Sequence, residues 1–333
     1  MRKQLLAALA LAAAFAPPAS AVPTTPQKTL AAFTSEQELT ELFKGWSEAH
    51  RRRQEALRES SARAMASPSA PASLAEAAAK SADESVTNVQ HAGVDEGGIV
   101  KLHGDYLVIL RRGRLFSVAV NDRQLRPVSQ ADAYGAGVDP RGAWYDEMLM
   151  WGSTIAVIGY SYARGGTEIG LFELSTTGEL KYKSTWHLRS NDYYSSRNYA
   201  SRLIGSKLVF YTPLYLNPWG GLPAGSFPAF RKWRAGATPA EFRRIAPATR
   251  IYRSDEPLDP FRGVALHSVT VCDLAQAEMS CESSAVLGPP GRVFYVSPGS
   301  VYVWNVNAGI FRIPLDGSAP SALKANGSPI DQF

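Results

Sequence analysis

The chain has 333 residues, enough for one large domain with appendages and a sizeable core. Its 35 basic and 30 acidic residues give a formal charge of +5, and loss of Arg2 and Lys3 with an N-terminal leader would leave 33 against 30. So small a surplus gives no electrostatic basis for a nucleic-acid or anionic-membrane partner. The 27 glycines, 22 prolines and 14 tyrosines suit many short strands joined by turns.

Residues 1–21 read as a secretory signal: Arg2 and Lys3, an apolar run over 5–15, and the small-residue cleavage site Ala19-Ser20-Ala21. The apolar run is too short to span a bilayer as a helix. The segment 22–65 is read as helical. Ser35-x-x-Glu38 is a capping box, and Leu39, Leu42, Phe43 and Trp46 build one apolar stripe behind it. Arg51, Arg52 and Arg53 then fall on a solvated face. Residues 66–86, rich in Ala, Ser and Pro, read as a linker.

From residue 87 the pattern turns to short β-runs. The stretch 87–101, TNVQHAGVDEGGIVK, leads into a hairpin at 105–110 and 114–120. Similar units begin at Gly152, Gly205 and Gly299, each a glycine followed by an apolar strand with an aromatic near its end. A repeat of roughly 50 residues built from short strands predicts β-propeller blades, with a β-sandwich as the alternative. The fold class is therefore mainly β: a propeller over 87–333, preceded by a helix and linker. About four blade units are legible, fewer strands than a closed ring usually holds. The expectation is a ring left incomplete, through truncation or through completion by another chain.

Between the third and fourth units, residues 213–262 read as an inserted, lid-like segment on one propeller face. Its Trp219, Phe230, Arg231, Trp233 and Arg234 are the binding-surface candidates, since exposed aromatics and arginines anchor partners. The polar aromatic loop Asp192, Tyr193 and Tyr194 joins them. Cys272 and Cys281 are the two cysteines, and in an exported protein a disulfide is the default reading. Such a bridge, closing about ten residues, contributes roughly 2.5–3 kcal/mol at most.

The motifs Thr-Asn-Val-Gln (87–90), Gly-Val-Asp-Glu (93–96) and Ile-Val-Lys (99–101) resemble those of a family of secreted prokaryotic proteins. That family has a C-terminal β-propeller domain distantly related to WD repeats. Ser201-Arg202-Leu203-Ile204-Gly205 and the Ser-Pro-Ile-Asp-Gln-Phe of 328–333 resemble later segments of the same family. The resemblance implies export and a propeller, and implies no general catalytic activity.

No nucleophile elbow, zinc motif, EF-hand or P-loop stands in the sequence. Three acidic clusters, Asp95-Glu96, Asp146-Glu147, and Asp255-Glu256 with Asp259, offer oxygen ligands for calcium at a loop, and solvated turns are the competing reading. Asp95 and Glu96 alternate faces on an extended strand, which spoils them as a catalytic couple. The reading that results is an exported, periplasmic or secreted binding or scaffold module with a protein or cell-envelope partner and no cofactor beyond calcium. The alternatives are a hydrolase or quinoprotein-like oxidoreductase with its site in the propeller channel, and a truncated product without function.

Overall fold

The computed structural model describes residues 28–64, 91–121, 124–190, 201–222, 224–253, 258–291, 293–305 and 309–325. The leader, the linker, the Asp192, Tyr193 and Tyr194 loop, and Asp255 with Glu256 lie outside the described residues.

The helix runs Glu36–Ala64. Ser35 caps it by accepting from the Glu38 amide at 3.1 Å. The Glu38 carboxylate reaches back one residue further than a capping box requires, accepting from the Thr34 amide at 2.7 Å. Leu39 and Phe43 are each 1% exposed, and with Phe33 they pack on Leu214, Ile251, Leu266 and Leu287. The stripe thus docks the helix on the strands, while Arg51, Arg52 and Arg53 face solvent.

The strands form four antiparallel-dominated sheets. The first is the four-stranded meander Val100–His103, Tyr106–Arg111, Arg114–Ala119 and Arg126–Asp132. The second begins with Ala143–Trp151, Thr154–Ser161, Gly166–Leu174 and Leu180–Arg189, and adds Ala229–Lys232 and Arg243–Arg244 at its far edge. The third centres on Ser201–Ile204, Lys207–Leu216, Val264–Asp273 and Ser280–Gly288. The fourth comprises Val293–Val296, Ser300–Asn305, Gly309–Pro314 and Ser321–Leu323. N-terminal strands close the outer edges: Lys28–Thr29 pairs with Ser321–Leu323, and Ala31–Ala32 pairs with Ile251–Arg253 of the third sheet.

The repeated glycine has a physical cause. Gly104, Gly152 and Gly205 take φ of 55°, 52° and 59°. Each opens the two-residue turn between the innermost strand of a sheet and its neighbour, the position where a type II′ turn demands positive φ. Gly299 differs, lying in a longer loop between Val293–Val296 and Ser300–Asn305.

Each sheet packs on the next. Val108, Leu110 and Leu115 of the first meet Met148, Val157 and Phe172 of the second. Leu149, Ile158 and Leu188 of the second meet Leu203, Phe210 and Cys272 of the third. Val209, Tyr211 and Val286 of the third meet Phe294, Val303 and Phe311 of the fourth. Among the described residues no core cluster joins the fourth sheet to the first, so the stack is open.

The lid-like reading of 213–262 is corrected. Lys207–Leu216 runs through its start, Ala229–Lys232 pairs with Leu180–Arg189, and Ile251–Arg253 pairs parallel to Ser280–Gly288. The segment is woven into the second and third sheets. Its apolar side chains are needed to cover sheet edges and the helix, which turns them inward.

Candidate functional site

The motif stretch delivers the chain to the place where three sheets meet. Asp95–Glu96 is a two-residue strand pairing with Ser201–Ile204, Glu96 opposite Arg202 and Asp95 opposite Leu203. Gly98 then bridges to Met148 of the second sheet, and Val100–His103 starts the first. The side chains follow the alternation. Lys101 Nζ donates to both Asp95 oxygens at 2.7 and 2.9 Å and to the Glu96 carbonyl at 2.7 Å. Glu96 points the other way, its Oε1 3.4 Å from Arg202 Nη2.

Glu147 completes the cluster. It is 1% exposed, Ser201 Oγ donates to its Oε1 at 2.5 Å, and its Oε2 has no hydrogen-bond partner. Burial pushes its carboxyl up to about 8, against the pull of Ser201 and Arg202, so it carries its proton at neutral pH. Gly97 makes room for it: a Cβ there would lie 1.7 Å from Glu147 Oε1. The Asp95-Glu96 and Asp146-Glu147 stretches therefore lie side by side, Gly98 bridging to Met148, and the charges of Lys101 and Arg202 both act on Glu147. Among the described residues no group of three or more His, Cys, Asp or Glu is arranged to hold a metal ion. Asp259 instead caps a short turn, accepting from the Phe261 amide at 3.0 Å.

A second polar array crosses the second sheet in one register row: Tyr145, Gly159, Glu168, His187 and Arg231 stand opposite one another on five successive strands. Glu168 is 1% exposed. It accepts from Tyr145 Oη at 2.6 Å, from Arg164 Nε at 2.9 Å and from His187 Nε2 at 3.0 Å. Arg231 Nε donates to His187 Nδ1 at 3.2 Å, which fixes the Nε2–H tautomer. Burial pushes Glu168 up, but the bonds from His187 and Tyr145 and the Arg164 charge outweigh it and hold the carboxyl below its usual range. Burial likewise lowers His187 and keeps it neutral. A carboxylate–histidine pair is the skeleton of a general base. Here the one imidazole lone pair that could accept a proton already accepts from Arg231, so the array acts as a rigid tie across the sheet.

The binding-surface candidates separate. Phe230 is 8% exposed and stacks on Trp186 at 4.8 Å, and Arg231, 6% exposed, belongs to the tie. Both are corrected to interior residues. Trp219 is half-buried, stacked at 4.3 Å on His50 of the helix. Trp233 is half-buried and held by its amide to the Thr185 carbonyl at 2.8 Å. Arg234 is exposed and paired with Glu241 at 3.0 Å. Cys272 and Cys281 stand opposite each other on neighbouring strands and form the expected disulfide.

What sequence reasoning missed lies at the two ends of the stack. On the first sheet, Val100, Leu102, Leu107, Ile109, Phe116 and Val118 occupy adjoining register positions on the side turned away from the second sheet. Val100 and Leu102 are 48% and 67% exposed, and the others are half-buried. On the fourth sheet the corresponding outward rows hold Tyr295, Tyr302 and Arg312, and Val293, Trp304, Ile310 and Leu323. Both end sheets are thus apolar on two sides, as only a sheet packed on both sides needs to be. The signal was present in the sequence as runs such as LVIL at 107–110, which lack the polar alternation of a one-sided strand.

Meander sheets stacked face to face, innermost strands together and the N-terminal strand closing an outer edge, define a β-propeller. The chain belongs to the beta propeller domain family, whose model matches residues 84–329. A comparison with curated proteins finds no match. A solved structure, BamB from Moraxella catarrhalis, is similar at 13% identity and a TM-score of 0.28, over 68% of this chain and 64% of that one. This chain therefore spans less than two thirds of that protein's length.

Proposed function

We propose that the protein is an exported propeller module that works by holding a protein partner. The observation that carries this reading is the outward face of the first sheet, where Val100 and Leu102 stand 48% and 67% exposed beside four half-buried apolar neighbours. Burying such a face is worth about 25 cal/mol for each Å² removed from water, and soluble chains rarely leave one open without use. Export is supported by the leader pattern at 1–21 and by the Cys272–Cys281 bridge, which persists in oxidising compartments. Among the described residues no helix is long and apolar enough to cross a membrane.

The test replaces Val100 and Leu102 together by aspartate. Because both side chains already face solvent, the melt should be unchanged while cross-linked partners from an envelope fraction are lost. Undiminished partner recovery would contradict the reading.

A further inference from the structure

We propose that the cleft between the first and second sheets is a binding site for a small neutral saccharide. It is a cavity of about 340 Å³, at the small end of the roughly 300–1,000 Å³ that ligand sites occupy. Three pieces of chain make it: the turn between Tyr106–Arg111 and Arg114–Ala119, the segment 133–142, and the first residues of Ala143–Trp151. They meet at one end of the sheets. The turn joins Arg111 to Arg114, Arg114 stands opposite Asp132, and 133–142 leads from there to Ala143.

Two irregularities of the backbone serve this cavity. In the innermost strand of the second sheet Tyr145 stands opposite Gly159 but Glu147 opposite Ile158, so the register slips at Asp146. A β-bulge of this kind re-aims side chains. Here Trp144, Tyr145 and Asp146 line the cavity in succession, where a regular strand would turn every second residue away. In the hairpin turn, Arg112 and Gly113 take φ of 50° and 71°, the two positive values of a type I′ turn. Asparagine, aspartate or glycine suits the first of those positions. Arg112 is the one non-glycine residue with positive φ among the described residues, and its side chain makes no hydrogen bond or ion pair with them. The unfavourable conformation brings the fold nothing in return, and it places a guanidinium group at the cavity.

The walls are held before any ligand arrives. Tyr145 Oη donates to Glu168 at 2.6 Å, so the buried tie across the second sheet fixes this ring. Tyr134 packs against it with ring centroids 5.7 Å apart. The Ala133 amide donates to the Gly113 carbonyl at 2.9 Å and Arg164 Nη1 to the Asp139 carbonyl at 2.8 Å, which ties 133–142 to both sheets. Preorganisation spares a weakly held ligand the cost of ordering its site.

The charges on the walls select the class of ligand. The lining carries Arg112 and Arg114 against Asp132 and Asp146, two charges of each sign. A free anion would meet two carboxylates, and a free cation two guanidinium groups. A hydroxyl both donates and accepts, so a polyhydroxylated ring gives hydrogen bonds to the aspartates and takes them from the arginines. Trp144 is 52% exposed, and with Tyr134 it offers aromatic faces for the C–H side of such a ring. A small zwitterion matches the charges but leaves those faces unused, and exposed ion pairs contribute little.

The test is saturation-transfer NMR from the purified chain to glucose, galactose, N-acetylglucosamine and maltose, with inorganic phosphate, putrescine and glycine as charged competitors. At least one sugar should show saturable transfer that the competitors leave unchanged. Trp144→Ala should weaken that binding about tenfold. Arg112→Gly is the sharper variant, because glycine suits the positive φ: the melt should hold or rise while sugar binding falls by a similar factor. No transfer to any of these sugars, or binding unchanged in both variants, overturns the site. Displacement by phosphate, putrescine or glycine overturns the neutral class of ligand.

Discussion

Glu147 is the residue at which burial and charge conflict most directly. Its folded value of about 8 lies above the ordinary carboxyl value, so the native state holds a proton that the unfolded chain has released. Stability from this group is therefore full below the unfolded value and is lost as pH rises toward 8. His267 works in the other direction: burial lowers it to about 4, so its contribution is present above the unfolded value near 6.5 and lost as pH falls. Between pH 6.5 and about 8 the Glu147 slope stands apart from that of His267. There Glu147→Gln should remove a loss of about 2 kcal/mol, read as a urea midpoint that holds level while that of the unsubstituted chain declines. Equal slopes for the two would contradict the assignment. Glu168→Ala should cost about 1–3 kcal/mol in urea unfolding, because it leaves the half-buried Arg164 and the buried donors of Tyr145 and His187 without their acceptor. Asp95, Glu96, Lys101 and Arg202 could be found in the sequence because they sit in compact motifs. Tyr145, Glu168, His187 and Arg231 could not: they are dispersed along the chain, and only strand register aligns them.

At the scale of the element, the glycine that opens each blade unit was legible because a two-residue hairpin turn leaves few residues able to supply positive φ. The helix was legible through its cap and stripe. The weave of 213–262 was not, because Ala229–Lys232, Arg243–Arg244 and Ile251–Arg253 are too short to show a period. Their pairing is decided by edges offered by distant strands. Gly159→Ala should destabilise by about 1–3 kcal/mol, since its Cβ would lie 2.3 Å from the Trp144 carbonyl and 2.6 Å from the Tyr145 ring. Removing the disulfide by Cys272→Ala with Cys281→Ala should cost up to about 3 kcal/mol, and a reducing agent should lower the melting temperature of the unsubstituted chain alone. No response to reductant would show that the bridge is not formed.

For the whole molecule, three core clusters tie four sheets in chain order and a fourth fastens the helix to the third sheet. That order was readable from the repeat, since each unit pairs with itself before it meets its neighbour. Closure was not readable, because it depends on what lies against the two outermost faces. The N-terminal strands hold the third and fourth sheets at their outer edges, so the arc is stiffened on one side. The most direct measurement is electron microscopy of the purified chain. Four sheets in an arc with the first and fourth held apart are the expected class averages; a chain whose first and fourth sheets lie against each other would contradict the open stack.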